Sequence, residues 1–72
     1  MSYYEIWDKE SANMIADAET SQDAAAKIKD IVEANPDGYK WLTMGIVSDD
    51  DQIIDVFDGS DLARWVRLEL DG

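Results

Sequence analysis

The sequence contains no cysteine and no histidine. Without cysteine, the chain forms no disulfide and offers no thiol chemistry. The absence of histidine removes the commonest general base and the commonest nitrogen ligand of zinc and copper. Carboxylates are therefore the main groups left for acid–base or metal chemistry.

Long apolar runs are also missing. No run approaches the roughly 18 residues that a membrane-spanning helix needs. The opening MSYYEIWDKE has neither the basic region nor the apolar core of a signal peptide. These features predict a cytoplasmic protein.

Positive charge is scarce, because six Lys and Arg residues stand against 17 Asp and Glu, giving a net charge of −11. Such a chain has no basic footprint for nucleic-acid phosphates and is repelled by an anionic membrane surface. A basic protein surface, for example that of a nucleic-acid-binding protein, would attract it in a fast and salt-sensitive association. The alternative is that the acidity serves only solubility.

The 72 residues allow one small domain, 1–72, with a net stability of a few kcal/mol at most. Hydrophobic residues make up 46% of the chain, and there is only one proline. This composition is sufficient for a folded core and is not typical of disorder.

The first half predicts two strands and a helix. YYEIWD (3–8) and NMIADAE (13–19) alternate as strands around the turn KESAN, and Met14 and Ile15 leave the facing of the second strand open. A helix follows, with Thr20 as its cap or Ser21 one residue later, and it ends at Asn35 because the next residue is proline.

The second half predicts the same order. YKWLTMGIVS (39–48) and IIDVF (53–57) read as strands, and Ser60 is placed to cap a last helix, DLARWVRLEL. The predicted apolar stripe of that helix consists of Leu62, Trp65, Val66, Leu68 and Leu70.

We therefore predict an α+β fold in ββαββα order, with a four-stranded antiparallel sheet and two helices on one face. We interpret residues 3–35 and 39–70 as a pseudo-repeat, with identities at Ile15/Ile54, Ser21/Ser60 and Ala24/Ala63.

One face of this sheet carries exposed aromatic residues if the helices cover Tyr4, Ile6, Leu42, Met44 and Ile46. The opposite face then displays Tyr3, Trp7, Trp41, Thr43 and Val47, an apolar patch of the kind that usually finds a partner. Two alternatives stay open: the facing is inverted, or a terminal segment folds over the patch.

The stretch SDDDQIIDVFDGSD (48–61) is the most acidic part of the chain. An EF-hand loop fails in every register, because Ile53, Ile54 or other apolar residues fall at ligand positions. Turns and a helix start explain the same aspartates better. With no phosphate-binding glycine loop and little chain from which to build a cleft, we expect no metal site, no cofactor and no enzyme activity.

The opening YEIWDKESAN, with the capped helix and second hairpin that follow, resembles short uncharacterised bacterial and phage-type proteins that share a Y-x-I-W-D hairpin. That resemblance implies a hairpin–helix start and no activity. In size and charge the chain also resembles anti-CRISPR proteins and other DNA-mimic inhibitors, which occupy basic nucleic-acid channels with arrays of Asp and Glu.

The resulting hypothesis is a non-enzymatic, acidic protein-interaction module, of the inhibitor or antitoxin type, that docks on a basic partner surface. The alternative is a homodimeric accessory protein with the aromatic sheet face as its interface. A third hypothesis is weak binding of a divalent cation by Asp49, Asp50 and Asp51. The predicted partner-binding residues are Asp49, Asp50, Asp51, Asp55, Asp58, Asp61, Tyr3, Trp7 and Trp41.

Overall fold

Four strands and three helices follow one another in the computed structural model, which describes residues 2–35 and 37–71. They are β1 (Tyr3–Asp8), β2 (Asn13–Ala18), α1 (Ser21–Ala34), α2 (Gly38–Trp41), β3 (Leu42–Val47), β4 (Ile53–Asp58) and α3 (Gly59–Asp71). The predicted α+β class and ββαββα order are confirmed, with the single turn α2 as an addition.

The sheet is antiparallel throughout, in the order β2-β1-β3-β4. Ile6 lies opposite Met44 in the central pair, and Met44 lies opposite Phe57 of β4. Directly opposed residues share a face, so these three side chains point the same way, toward the helices. The first strand of each half is central and the second lies at an edge, an arrangement that a ββα repeat would give. The duplication itself stays a prediction.

Helix α1 begins where the sequence predicts. The Oγ1 atom of Thr20 accepts the backbone N–H of Asp23 at 3.1 Å, which satisfies one of the free donors of the first turn. The helix ends at Asn35, whose N–H donates to the carbonyl oxygen of Val32 at 3.1 Å. The helix-stopping role predicted for Pro36 lies outside the described residues.

The hydrophobic core lies between one face of the sheet and the helices α1 and α3. Ile6 and Met44 from the sheet are completely buried, as are Ile28 of α1 and Leu62 of α3. Trp65 packs against this core, with its ring centroid 5.9 Å from that of Tyr4 and 6.1 Å from that of Phe57. The predicted core face of β1 and β3 is therefore correct.

The prediction of a strand from residue 39 onward is wrong at its start. Residues Gly38 to Trp41 form the helical turn α2, and β3 begins only at Leu42. A methyl group on Gly38 would lie 3.0 Å from Cγ2 of Val32, so this turn packs directly on α1. Trp41 consequently belongs to a helix and not to the sheet face predicted for it.

Two details of the last helix also differ. Helix α3 begins at Gly59, so Ser60 lies inside its first turn and does not occupy the predicted cap position. Gly59 has a φ of +52°, a conformation that glycine adopts readily and that turns the chain from β4 into α3. Leu68 is 64% exposed, because it lies two positions after Val66 and off the buried stripe.

Candidate functional site

The face of the sheet turned away from the helices is called the open face here. Its members follow from the pairing of β1 with β2 and β3 and of β3 with β4, since directly opposed residues point to the same side. They are Tyr3, Glu5, Trp7, Met14, Asp17, Thr43, Gly45, Val47, Ile53, Val56 and Asp58.

Apolar side chains are exposed at two opposite corners of the open face. Met14 lies opposite Trp7 at one corner and is 47% exposed. Ile53 of β4 lies at the other corner, and Val56 lies on the same strand beside the centre of the face; they are 62% and 55% exposed. Single exposed apolar residues are normal, but several on one sheet face form a patch that is typical of an interaction site.

Gly45 lies at the centre of the open face, between Glu5 of β1 and Val56 of β4. A Cβ atom added there would find Cγ2 of Ile53 at 3.9 Å as its only neighbour within 4 Å. The absence of a side chain at Gly45 therefore leaves a narrow depression whose floor is buried: Gly45 itself is buried, and Val47, predicted to be displayed on this face, is only 2% exposed because its neighbours cover it.

Carboxylates flank this depression. Glu5 and Asp17 are directly opposed on β1 and β2, and in the described part of the chain neither side chain forms an ion pair. Asp58 lies at the far corner and pairs with Lys9 at 3.0 Å. Like charges placed opposite each other in a sheet are destabilising, so Glu5 and Asp17 carry a cost that a bound cation would relieve.

The charges of the molecule are segregated between its two layers. The four strands contain no Lys or Arg, and five of the six cationic residues lie on the helices: Lys27, Lys29, Lys40, Arg64 and Arg67. On α1, Lys27 pairs with Asp23 at 3.3 Å and Lys29 with Glu33 at 4.0 Å. The helix layer thus carries charges of both signs, whereas every charged residue of the strands is acidic.

The six aspartates predicted as binding residues, here called the acidic edge, follow the edge strand β4: Asp49, Asp50, Asp51, Asp55, Asp58 and Asp61. The first three lie in the β3–β4 turn, Asp55 and Asp58 on the strand, and Asp61 in the first turn of α3. All six residues are exposed. They form a row along β4, with the turn and the helix start at opposite ends of the strand.

Individual aspartates of the acidic edge also have local structural roles. Asp51 has a φ of 61°, which Asp tolerates better than most residues, and its carboxylate accepts the Tyr3 hydroxyl at 3.4 Å. The carboxylate of Asp55 accepts the N–H of Val56 at 2.9 Å. That N–H belongs to the outer strand of the sheet, so the bond occupies a donor that would otherwise be open to another chain.

The three predicted aromatic residues do not lie together. Tyr3 and Trp7 are both half-buried on the open face. Trp41 lies in α2, where it lines a cleft of about 180 Å³ with Ile15, Ile31 and other residues, and the Lys40 ammonium lies 5.5 Å from its ring centroid. The structure therefore brings two of the three aromatics to the open face.

Carboxylates surround the hydroxyl group of Tyr3 and affect its pKa. The pKa of its hydroxyl is raised above the ordinary 10.0, first by partial burial and then by the negative charge of Asp51 and Glu5. The hydrogen bond to Asp51 and the charge of Asp17 act in the same direction. The neutral hydroxyl is thus the stable form, and it remains a hydrogen-bond donor at neutral pH.

The helix layer contains a separate groove of about 350 Å³ whose lining includes Lys29, Tyr39, Arg67 and Leu70. Burial raises the pKa of Tyr39, and the charge of Arg67 opposes that rise. Among the described residues, no three Asp or Glu side chains converge in a way that could hold a metal ion. No helix within residues 2–35 and 37–71 is long and apolar enough to cross a membrane.

Several members of the open face are absent from the sequence prediction, namely Glu5, Met14, Asp17, Gly45, Ile53 and Val56 as binding residues. The β1–β2 pairing shifts between Ile6 and Trp7, and the β3–β4 pairing shifts between Ile46 and Val47. Such bulges reset which residues of an edge strand face each side, and the hydrophobic pattern alone does not locate them. The sequence does contain one indication of this face. Val56 is adjacent to Phe57, which packs against the core, so Val56 points to the opposite side of β4.

No protein-family model, curated protein or solved structure matches this chain.

Proposed function

We propose that this protein is a non-enzymatic, acidic module that binds a basic surface of another protein. The observation that carries the proposal is the charge segregation, because all cations but Lys9 lie on the helix layer while the strands and the β3–β4 turn bear only carboxylates. The electrostatic field of such a charge distribution orients the molecule so that its sheet faces a basic partner on approach.

In this proposal the acidic edge and the apolar open face contribute to different steps of binding. Exposed aspartates act over a Debye length of about 8 Å at physiological ionic strength, so they orient the encounter and speed association. Apolar side chains act only on contact, and Trp7, Ile53 and Val56 are the groups available to anchor the complex.

The partner that suits the acidic edge best is a nucleic-acid-binding protein. Strand β4 alone is about 20 Å long at about 3.3 Å per residue and carries two of the six carboxylates, and the turn and the helix start extend the path beyond it. Duplex DNA carries one charge per about 1.7 Å of its axis, so the edge has less than half that linear charge density. In this proposal the protein acts as an inhibitor that occupies the nucleic-acid channel of its partner.

The test compares two variants of equal charge. In the edge variant the six aspartates of the acidic edge become Asn, which lowers the net charge from −11 to −5. The control variant makes six helix-layer substitutions to the matching amides, with the same net charge: Asp23, Asp30, Glu33, Asp37, Glu69 and Asp71. Association with a panel of basic nucleic-acid-binding proteins is measured by surface plasmon resonance, with duplex DNA as competitor.

The proposal expects the edge variant to associate at least about tenfold more slowly at low salt than the control variant, with a smaller change in dissociation. DNA should compete with the wild-type protein. Equal association rates for the two variants, or binding that DNA leaves intact, would contradict it.

A homodimeric accessory protein is the second candidate, and the exposed apolar corners of the open face favour it. Pairing two open faces would bring Glu5 and Asp17 of two chains together without a cation between them, which opposes this arrangement. Sedimentation equilibrium at several concentrations distinguishes the candidates, since a dimer that persists at low salt would favour the accessory role.

A further inference from the structure

The open face forms a diagonal apolar path with acidic margins. Met14 and Trp7 lie at one end of the path, and Val56 and Ile53 at the other, with the bare Gly45 between them. The opposed pair Glu5 and Asp17 borders one side, and Asp58 borders the other.

The dimensions of this path suit a helix. Four strands about 4.8 Å apart span about 14 Å, and six residues along a strand span about 17 Å. An α-helix with side chains is about 10–12 Å wide and rises 1.5 Å per residue, so about three turns cross the face. On the other side of the same sheet, α1 and α3 already pack in this way.

An extended peptide fits less well. Strand addition uses backbone groups along an edge, whereas the apolar side chains described here lie on the sheet face; on β4 one edge donor, the N–H of Val56, is also bound by the Asp55 carboxylate. The sheet face offers side chains and a depression instead, which are the contacts that a helix uses.

Charge determines which helix can dock. Glu5, Asp17 and Asp51 lie beside the path. Two cations near it are already engaged, because Lys9 pairs with Asp58, and the Lys27 ammonium donates to the carbonyl oxygen of Asp17 at 2.6 Å and pairs with Asp23. A second copy of this chain would oppose carboxylates to carboxylates, whereas a helix with Lys or Arg on both sides of an apolar stripe would neutralise them. We propose that the open face binds an amphipathic helix of a partner protein, with the apolar stripe of that helix seated over Gly45 and its basic flanks on Glu5, Asp17 and Asp58.

This inference rests on the proposed function, because it names the contact surface and the partner element of the same basic partner. The probe is a synthetic 18-residue peptide of Leu and Lys with Leu at helical i, i+3, i+4 spacing. A scrambled peptide of the same composition has the same charge but no stripe. Binding of both to the full-length protein is measured by isothermal titration calorimetry at low and at physiological salt.

A matched pair of variants locates the contact. Gly45→Lys fills the depression, and its Cβ atom would make an ordinary contact with Cγ2 of Ile53 at 3.9 Å. Ala26→Lys makes the same charge change on an exposed position of α1. Circular dichroism checks that both variants are folded, and Gly45→Ala provides a third variant if Gly45→Lys is not.

The expected result is that wild-type protein binds the patterned peptide at least tenfold more tightly than the scrambled peptide. Gly45→Lys should weaken patterned-peptide binding at least tenfold, and Ala26→Lys less than twofold. If Gly45→Lys is unfolded, the folded Gly45→Ala should still weaken patterned-peptide binding severalfold.

Equal binding of the two peptides would overturn the inference while leaving electrostatic docking, and so the proposed function, in place. Equal effects of the two lysine variants, or no loss in Gly45→Ala where that variant stands in, would do the same. If neither peptide binds at low salt, the proposed function fails as well.

Discussion

Replacing each of three glycines by alanine should change stability with a sign that depends on its surroundings. Gly45 has an ordinary strand conformation, and a new methyl group would meet only Cγ2 of Ile53 at 3.9 Å, so Gly45→Ala should raise the free energy of unfolding by about 0.4–1 kcal/mol. At Gly38 the new methyl group would lie 3.0 Å from Cγ2 and 3.2 Å from Cα of Val32, and the substitution should cost about 1–3 kcal/mol. Gly59→Ala meets no atom within 4 Å but has a φ of +52°, which should cost about 1–2 kcal/mol.

Urea denaturation followed by circular dichroism measures these differences. For a small domain the free energy changes by about 1 kcal/mol per molar urea, so the midpoints of Gly45→Ala and Gly38→Ala should differ by about 1.5 M or more. At Gly59, Asn should be tolerated better than Ala, because Asn adopts left-handed backbone conformations more readily. Destabilisation of Gly45→Ala to the same degree as Gly38→Ala would refute the conclusion that the sheet face around Gly45 is open.

Three further predictions test the core, the helix cap and the acidic environment. Leu62→Ala should cost about 2–5 kcal/mol and leave the domain mostly unfolded, whereas Leu68→Ala at an exposed site should change stability by less than about 0.5 kcal/mol in the same urea assay. Thr20→Ala should cost about 1 kcal/mol and Thr20→Ser much less; equal losses would contradict the capping bond. Because the pKa of Tyr3 is raised, its contribution to stability is complete below pH 10.0 and is lost as the pH rises through the folded value. Absorbance at 295 nm should show Asp51→Asn lowering that pKa, and an unchanged pKa would argue against the Asp51 contact.

The sequence predicts the fold well where a structural feature depends only on residues that are close in the chain. Thr20 caps α1 because its side chain reaches the N–H of the residue three positions later. Tyr4 and Ile6 are two positions apart on a strand, so they share one face, and both pack in or against the core. The stripe of α3 is right at Leu62 and Val66 and wrong at Leu68, which lies off the buried face, and at Leu70 near the helix end, which is 39% exposed.

The candidate site is harder to predict because it depends on pairing between strands. The acidic edge is visible in the sequence, but its extension along an edge strand follows from the order β2-β1-β3-β4. The sequence pattern misplaces Trp41 because the turn after Asp37 continues as a helix packed on Val32, a tertiary contact that the local pattern does not contain. Met14 reaches the open face through a shift in register between β1 and β2.

The central claim is that the open face of the sheet is the surface that meets a basic partner. Its most direct test is an NMR titration of ¹⁵N-labelled protein with the patterned Leu–Lys peptide, followed through backbone amide shifts. The largest shift changes are expected at Glu5, Gly45 and Val56, with little change at Ala26 and Lys29 of α1. Changes concentrated on α1 and α3, with Gly45 unaffected, would contradict it.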